Sequence, residues 1–354
     1  MIDHSRNTSV SIAKGLAIIL VVLGHSWVNS AIESFVLMFH VPAFFLLSGY
    51  CFKDKHLQNP KGYYVKKIRG IYFPYVKYSI LFLLLHNLFF KLNIYNDASV
   101  GYLGRSAQLY SIHDVLLRAF KIVTGLHGHD ELLGAFWFLP ELLYGLLIFY
   151  CLIYVLGHDK IYFVSLVCFI LALIMKHYSF HVPHIGIDAN SFLAACFISL
   201  GYWAKKAKVN PNIYLSVLIL LFLGVLSLAG YSISMNNYTC KNAFIFVLYA
   251  IGGGYSIWSV SSVFKESGFI SKLLVFAGDN SIYILTFHFL AFKLVSLLII
   301  KLYHLPIYLL ASFPTIIEFS QNGWFIIYCL VGVFIPLGYA FLKLKVTRWT
   351  SIQH

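Results

Sequence analysis

Apolar residues in this chain come in long unbroken runs. The stretch ELLYGLLIFYCLIYVLG at 141–157 shows neither the two-residue alternation of a barrel strand nor a polar helical stripe. Runs nearing ~20 apolar residues predict helices that cross a membrane, where every backbone group must be bonded within its own segment. The missing alternation argues against a β-barrel. The pattern therefore predicts an all-α fold, a polytopic integral membrane helical bundle. It places ten spans at about 11–29, 32–52, 71–92, 135–157, 161–178, 187–204, 212–232, 241–264, 273–300 and 324–345.

Charge then orients the spans. One set of loops carries Lys53, Lys55, Lys61, Lys66, Lys67, Arg69, Lys160, Lys205, Lys206, Lys208, Lys265, Lys272, Lys343, Lys345 and Arg348. The alternate set carries Arg105, Arg118, Lys121, Lys176, Lys241 and Lys301, with Lys91 at a span end. Cytoplasmic loops hold the excess of Lys and Arg, so both termini are expected in the cytoplasm. The first run is read as a retained helix, since a second span follows without a small-residue cleavage pattern. With no repeat and no soluble stretch, residues 1–354 read as one integral membrane domain.

Composition agrees. Of 354 residues, 60% are hydrophobic and 11% charged, and the mean hydropathy is +0.80. The net charge of +13 does not point to nucleic acid, because the basic residues fall between apolar spans. Cys51, Cys151, Cys168, Cys196, Cys240 and Cys329 form no CxxC pair and read as small buried hydrophobes.

Polar groups inside apolar runs are costly, so they are the candidates for chemistry. In AKGLAIILVVLGHSW (13–27), Lys14 and His25 are eleven residues apart. That spacing gives ~1100° of rotation and a rise of ~16 Å, about 20° from a common face. One helix face thus offers a cation near the inner surface and an imidazole deeper in. A snorkelling lysine and a packing histidine would give the same pattern. In FHVPAFFLLSGY (39–50), His40 opens the second span, beside a Pro42 that loosens the helix and a Ser48–Gly49 pair that allows close helix approach. The short hairpin brings His25 and His40 to one cavity, suited to proton transfer near neutral pH. No carboxylate or cysteine stands at ligand spacing in these spans, so no metal is expected.

These two stretches, with KKIRGIYFPY at 66–75, WFLPELL at 137–143 and GDNSIYILTFHFL at 278–290, resemble acyltransferase family 3 across nearly the whole chain. The likeness is strongest to its smaller sugar O-acetylases of the fucose acetylase kind. The resemblance implies a bacterial plasma-membrane enzyme. It would move an acyl group, usually acetyl from cytoplasmic acetyl-CoA, to a hydroxyl of a surface polysaccharide or its lipid-linked precursor. The family's basic residue and histidine fall on Lys14 and His25. Two departures stand out: the family often has arginine at Lys14, and many members have aspartate where this chain has Ser11.

On that reading His25 is the base, and His40 orients the acceptor or donates to the oxyanion. Lys14, Lys66, Lys67 and Arg69 receive the CoA phosphates, although positive-inside bias also explains the 66–69 cluster. Trp137 suits a sugar site or an aromatic belt, and Glu141 a grip on a sugar hydroxyl. His288 either packs or lines the cavity. Asn280 and Ser281 read as a helix cap, and His127, His129, Asp130 and Glu131 as a solvated outer loop. The rivals are a transporter or flippase of lipid-linked sugars, though no repeated halves appear, and a polysaccharide polymerase.

Overall fold

The structure is a computed structural model that describes residues 8–96, 108–264 and 268–352. Arg105 and Lys265 of the charge pattern lie outside these residues. Among the described residues there is no strand. The helices in chain order are α1 (Thr8–His25), α2 (Ser30–Leu37), α3 (His40–Tyr50), α4 (Pro60–Lys67), α5 (Phe73–Lys91), α6 (Ile112–Gly125), α7 (Phe138–Leu156) and α8 (Ile161–His177). They continue with α9 (Ala189–Lys206), α10 (Ile213–Leu228), α11 (Ala243–Val263), α12 (Phe269–Asp279), α13 (Ser281–Leu302), the single turn α14 (Ile317–Phe319) and α15 (Phe325–Ile352).

Among the described residues, seven segments are long and apolar enough to cross a membrane: Thr8–His25, Ser30–Tyr50, Pro60–Lys91, Glu131–Leu156, Ala243–Val263, Ser281–Leu302 and Ile317–Thr347. Of the other expected spans, α8 and α10 are apolar but only 17 and 16 residues long. The remaining one, α9, carries Asn190, Ser191 and Ser199 and is largely buried.

Two expected spans are broken. The span at about 32–52 is α2 and α3, split at Met38–Phe39. Pro42 has no N–H to give the carbonyl one turn back, so it sits in the first turn of α3, where that loss is tolerated. The span at about 273–300 is α12 and α13, divided by Asn280. Asn280 holds the cap position of α13 but makes no side-chain cap bond there. Its amide instead donates to the Phe276 carbonyl at 2.9 Å, closing α12.

The helix ends sort into two groups. At one end, Ser11 Oγ at the start of α1 donates to Asp279 Oδ1 at the close of α12 (3.0 Å). Lys205 Nζ at the end of α9 donates to the Phe52 carbonyl after α3 (2.5 Å). The hydroxyl of Tyr150 on α7 donates to the His56 carbonyl (3.0 Å), and Lys343 Nζ of α15 donates to Tyr283 at the start of α13 (3.0 Å). Lys53, Lys55, Lys66 and Lys67 gather round His56 at this same end. At the other end, Ser227 of α10 bonds the Ala31 carbonyl of α2, and Cys240 before α11 meets the Leu173 carbonyl of α8 at 3.5 Å. The first and last described helices therefore begin and end on one side.

Close helix contacts use glycine, because lipid offers helices no hydrophobic drive to associate. A Cβ on Gly49 would strike the Ile198 carbonyl, and one on Gly201 the Leu46 carbonyl, so α3 and α9 touch backbone to backbone. Gly15 and Gly278 do the same for α1 and α12. The cysteines are all free; Cys168 and Cys196 are buried, but Cys51, Cys151 and Cys240 are exposed, which corrects the expectation for them.

The GLHGHDELLG segment is not a solvated loop. Asp130 is buried and accepts from His86 Nδ1 of α5 (3.0 Å), from the Tyr95 hydroxyl and from the Leu132 amide (3.1 Å). His86 Nε2 meets the Gln108 carbonyl at 3.0 Å, and its ring stacks 3.5 Å from Tyr110. His129 accepts from the Tyr75 hydroxyl at 3.2 Å. The carboxylate finds partners inward, and the segment follows it into the bundle.

Gly49→Val and Gly201→Val should each destabilise by about 1–3 kcal/mol through overpacking. Gly224→Ala, whose Cβ meets nothing within 4 Å, should leave the thermal midpoint in detergent nearly unchanged. Burial lowers His129 from the ordinary 6.5 to about 4. A depressed imidazole favours the folded state above its unfolded value, and that contribution is lost as pH falls from about 6.5 towards 4. His129→Gln keeps an acceptor for Tyr75 but cannot charge. Its melting temperature relative to wild type should rise between pH 7 and pH 5; a pH-independent difference would remove His129 from acid sensitivity.

Candidate active site

One cavity of about 400 Å³ runs through the bundle along α1. Lys14, Ile18, Val21 and His25 all line it, spaced as one helical face. The face inferred from an eleven-residue spacing is thus the cavity wall. From α3 come His40, Val41, Phe44 and Ser48; from the start of α7, Trp137, Phe138, Leu139 and Leu142. Gly278, Asp279 and Ser281 join at the lysine end, and Ser234, Met235 and Asn236 come from the loop after α10.

The hydrogen bonds fix two of the three imidazoles. His40 is buried, and its Nδ1 lies 2.6 Å from the Val36 carbonyl. A carbonyl only accepts, so Nδ1 carries the proton and Nε2 is left as an acceptor. The break between α2 and α3 leaves that carbonyl one turn below the ring. His288 of α13 is held the same way, by the Ile284 and Leu285 carbonyls at 2.9 and 3.1 Å. Its Nε2 is buried with no partner. His25 makes no hydrogen bond among the described residues. Its ring stacks on His288 at 5.5 Å and 25° and leans on Phe289 at 4.9 Å. His25 is therefore positioned by ring contacts alone, and both its nitrogens stay available to a substrate.

The other sequence candidates divide. Trp137 is in the cavity wall. His288 lies behind His25 rather than on the cavity surface. Glu141 is buried away from the cavity, and Ser191 Oγ of α9 donates to its Oε2 at 2.7 Å. Lys66, Lys67 and Arg69 do not line the cavity, although the adjoining Gly70 and Ile71 do. Lys67 sits 5.2 Å over the Tyr63 ring and within electrostatic reach of Lys14.

Two features escaped the sequence reading. The carboxylate absent at position 11 is supplied from elsewhere, because Ser11 bonds Asp279, which lines the cavity beside Lys14. The signal was Asp279 itself, a carboxylate between two apolar helices. The loop residues Ser234, Met235 and Asn236 carried none, since nothing local shows that a loop folds inward. Among the described residues, no group of three or more His, Cys, Asp or Glu is placed to hold a metal ion.

A cavity that joins a cation to hydrogen-bond-free imidazole suits attack on an activated ester better than passage of a solute, and comparison with known proteins agrees. No curated protein and no solved structure matches the chain. The sequence model of one family, described as an acyltransferase domain, matches residues 7–343. With nearly its whole length so matched, the chain belongs to acyltransferase family 3 and is a membrane acyltransferase.

Proposed function

We propose that this enzyme takes acetyl from cytoplasmic acetyl-CoA and transfers it to a hydroxyl of a surface polysaccharide or its lipid-linked sugar precursor, in a bacterial plasma membrane. The observation that carries the reading is the single cavity linking Lys14 to His25. In this reading the lysine-rich end faces the cytoplasm, both termini with it, and α8, α9 and α10 complete ten crossings.

The donor enters from the lysine end. Lys14 and Lys67 meet its phosphates, with Lys66 and Arg69 at the approach. The pantetheine arm then runs along the face of α1, bringing the thioester carbonyl towards His25. The acceptor hydroxyl enters from the opposite end. His25 takes its proton as the oxygen attacks the carbonyl carbon. The C–S bond breaks, an ester forms, and the CoA thiolate leaves and is reprotonated. His40, with Nδ1 committed to Val36, has only a lone pair to offer at Nε2. Its part is therefore to accept from a neighbouring hydroxyl of the acceptor and so orient it, and oxyanion donation falls to other groups.

Purified enzyme in nanodiscs, given labelled acetyl-CoA and envelope glycans, should yield labelled ester. His25→Ala should lower kcat by about 10²–10⁴-fold with the fold intact by thermal midpoint; a near wild-type rate removes His25 from the chemistry. Lys14→Ala should raise KM for acetyl-CoA about tenfold while changing kcat little, as loss of a charge-assisted contact made equally in ground and transition states does. Translocation or chain growth without label would favour the rival classes.

A further inference from the structure

His288 carries a buried lone pair that the cavity does not reach. Its Nδ1–H is given to the Ile284 and Leu285 carbonyls at 2.9 and 3.1 Å, so Nε2 is an acceptor. That atom is buried with no partner among the described residues. The side chain is 0% exposed and does not line the cavity, so a substrate lying there is not its partner. An orphaned acceptor of this kind costs stability unless it has a use.

The ring beside it on the cavity side is His25. The two planes are 25° apart, with centres 5.5 Å apart. An N–H···N bond of about 3 Å holds two imidazole centres roughly 5–5.5 Å apart. The pair is therefore spaced for such a bond, which the resting structure leaves unmade. Packing keeps it there. Phe289 lies 4.0 Å from the His288 ring and 4.9 Å from that of His25, and Phe292 meets His288 edge-on at 5.8 Å. A Cβ on Gly332 of α15 would strike both Phe292 and Val22 of α1, so three helices hold the two rings together.

Each ring lacks what the other can give. Neutral His25 keeps one N–H and offers its other nitrogen as base, and no hydrogen bond among the described residues decides which. We propose that His288 is the positioning residue for His25: its Nε2 lone pair accepts the His25 N–H during transfer, fixes the tautomer and turns the basic nitrogen to the acceptor. A turn of the His25 ring about its terminal torsion, which is broad in histidine, closes the contact. When His25 takes the hydroxyl proton it becomes imidazolium, and the same bond becomes charge-assisted and stronger. The gain falls in the transition state, so it acts on kcat. His288 itself gains and loses no proton; the one taken stays on His25 until the departing CoA thiolate receives it. The proposal rests on the reading of His25 as base and names what holds it.

The test uses the full chain in nanodiscs, with labelled acetyl-CoA and native envelope glycans as substrates. His288→Phe keeps an aromatic ring against His25 and removes the lone pair. It should lower kcat about ten- to a hundredfold, the scale of a hydrogen bond to a charged group. KM for acetyl-CoA should not move, and the thermal midpoint should hold or rise, since an orphaned acceptor is gone. His288→Leu repeats the deletion with a smaller side chain, in case the larger ring crowds the site. His288→Gln returns an acceptor near the position of Nε2 and should recover part of the lost kcat. In a His25→Ala background, His288→Phe should cost nothing further, as a residue acting through His25 requires. Wild-type kcat in stable His288→Phe and His288→Leu enzymes overturns the proposal and leaves a packing histidine. So does a further loss in the His25→Ala background, or a His288→Gln enzyme no faster than His288→Phe. With His25→Ala itself inactive, each of these results leaves the base standing. A near wild-type His25→Ala rate overturns the base and the proposal together.

Discussion

A polar group taken out of water must find a partner or a use, and this constraint organises the molecule. Most buried polar groups here are answered locally. Glu141 is bonded by Ser191, Lys293 donates to the Ser312 carbonyl at 2.6 Å, and Ser48 returns its hydroxyl to the Phe44 carbonyl of its own helix. The largest such set, His86, Asp130 and Tyr95, draws an entire loop inward. A few single hydroxyls, such as those of Tyr63 and Ser259, go unanswered. At the cavity the atoms without a partner include imidazole nitrogens, of His25 and His40 in the wall and of His288 behind them. Their cost is understandable if the reaction supplies the missing partners.

The site also depends on how closely helices approach. Gly15 and Gly278 bring α12 against the start of α1, which sets Asp279 beside Ser11 and at the cavity's lysine end. Gly49 and Gly201 seat α3 on α9 and so fix the helix that carries His40. Backbone contact of this sort replaces the hydrophobic drive that lipid cannot provide. It also makes the wall stiff, because close-packed backbones have little room to give.

What could be read from the sequence follows from how local each signal is. The helical class, the face shared by Lys14 and His25, and the meeting of His25 with His40 all rest on short-range periodicity or a short hairpin. They were legible for that reason. The helix breaks at Met38–Phe39 and at Asn280 were harder. Pro42 announced the first, though its effect falls one turn upstream of itself, and Asn280 resembled a cap for the following helix when it closes the preceding one. The burial of Asp130 and the orientation of Glu141 were not legible, since each depends on a partner, His86 or Ser191, that sequence alone does not bring near. Asn236 is the extreme case, a polar residue in a polar loop whose only distinction is where the loop goes.

The cavity is polarised along its length, and that polarity bears on direction. Lys14 and Asp279 stand at one end, the imidazoles of His25 and His40 at the other, and α1 presents Lys14 and His25 on a single face. Under the proposed reaction the donor's phosphates are held at the first end, beside Lys14. The acceptor comes from the other side, and the two substrates meet at His25. Spacing between Lys14 and His25 is then more than a means of placing two useful groups. About 16 Å of helix separates the cation from the base, so on this reading His25 meets the thioester while the phosphates stay behind at Lys14.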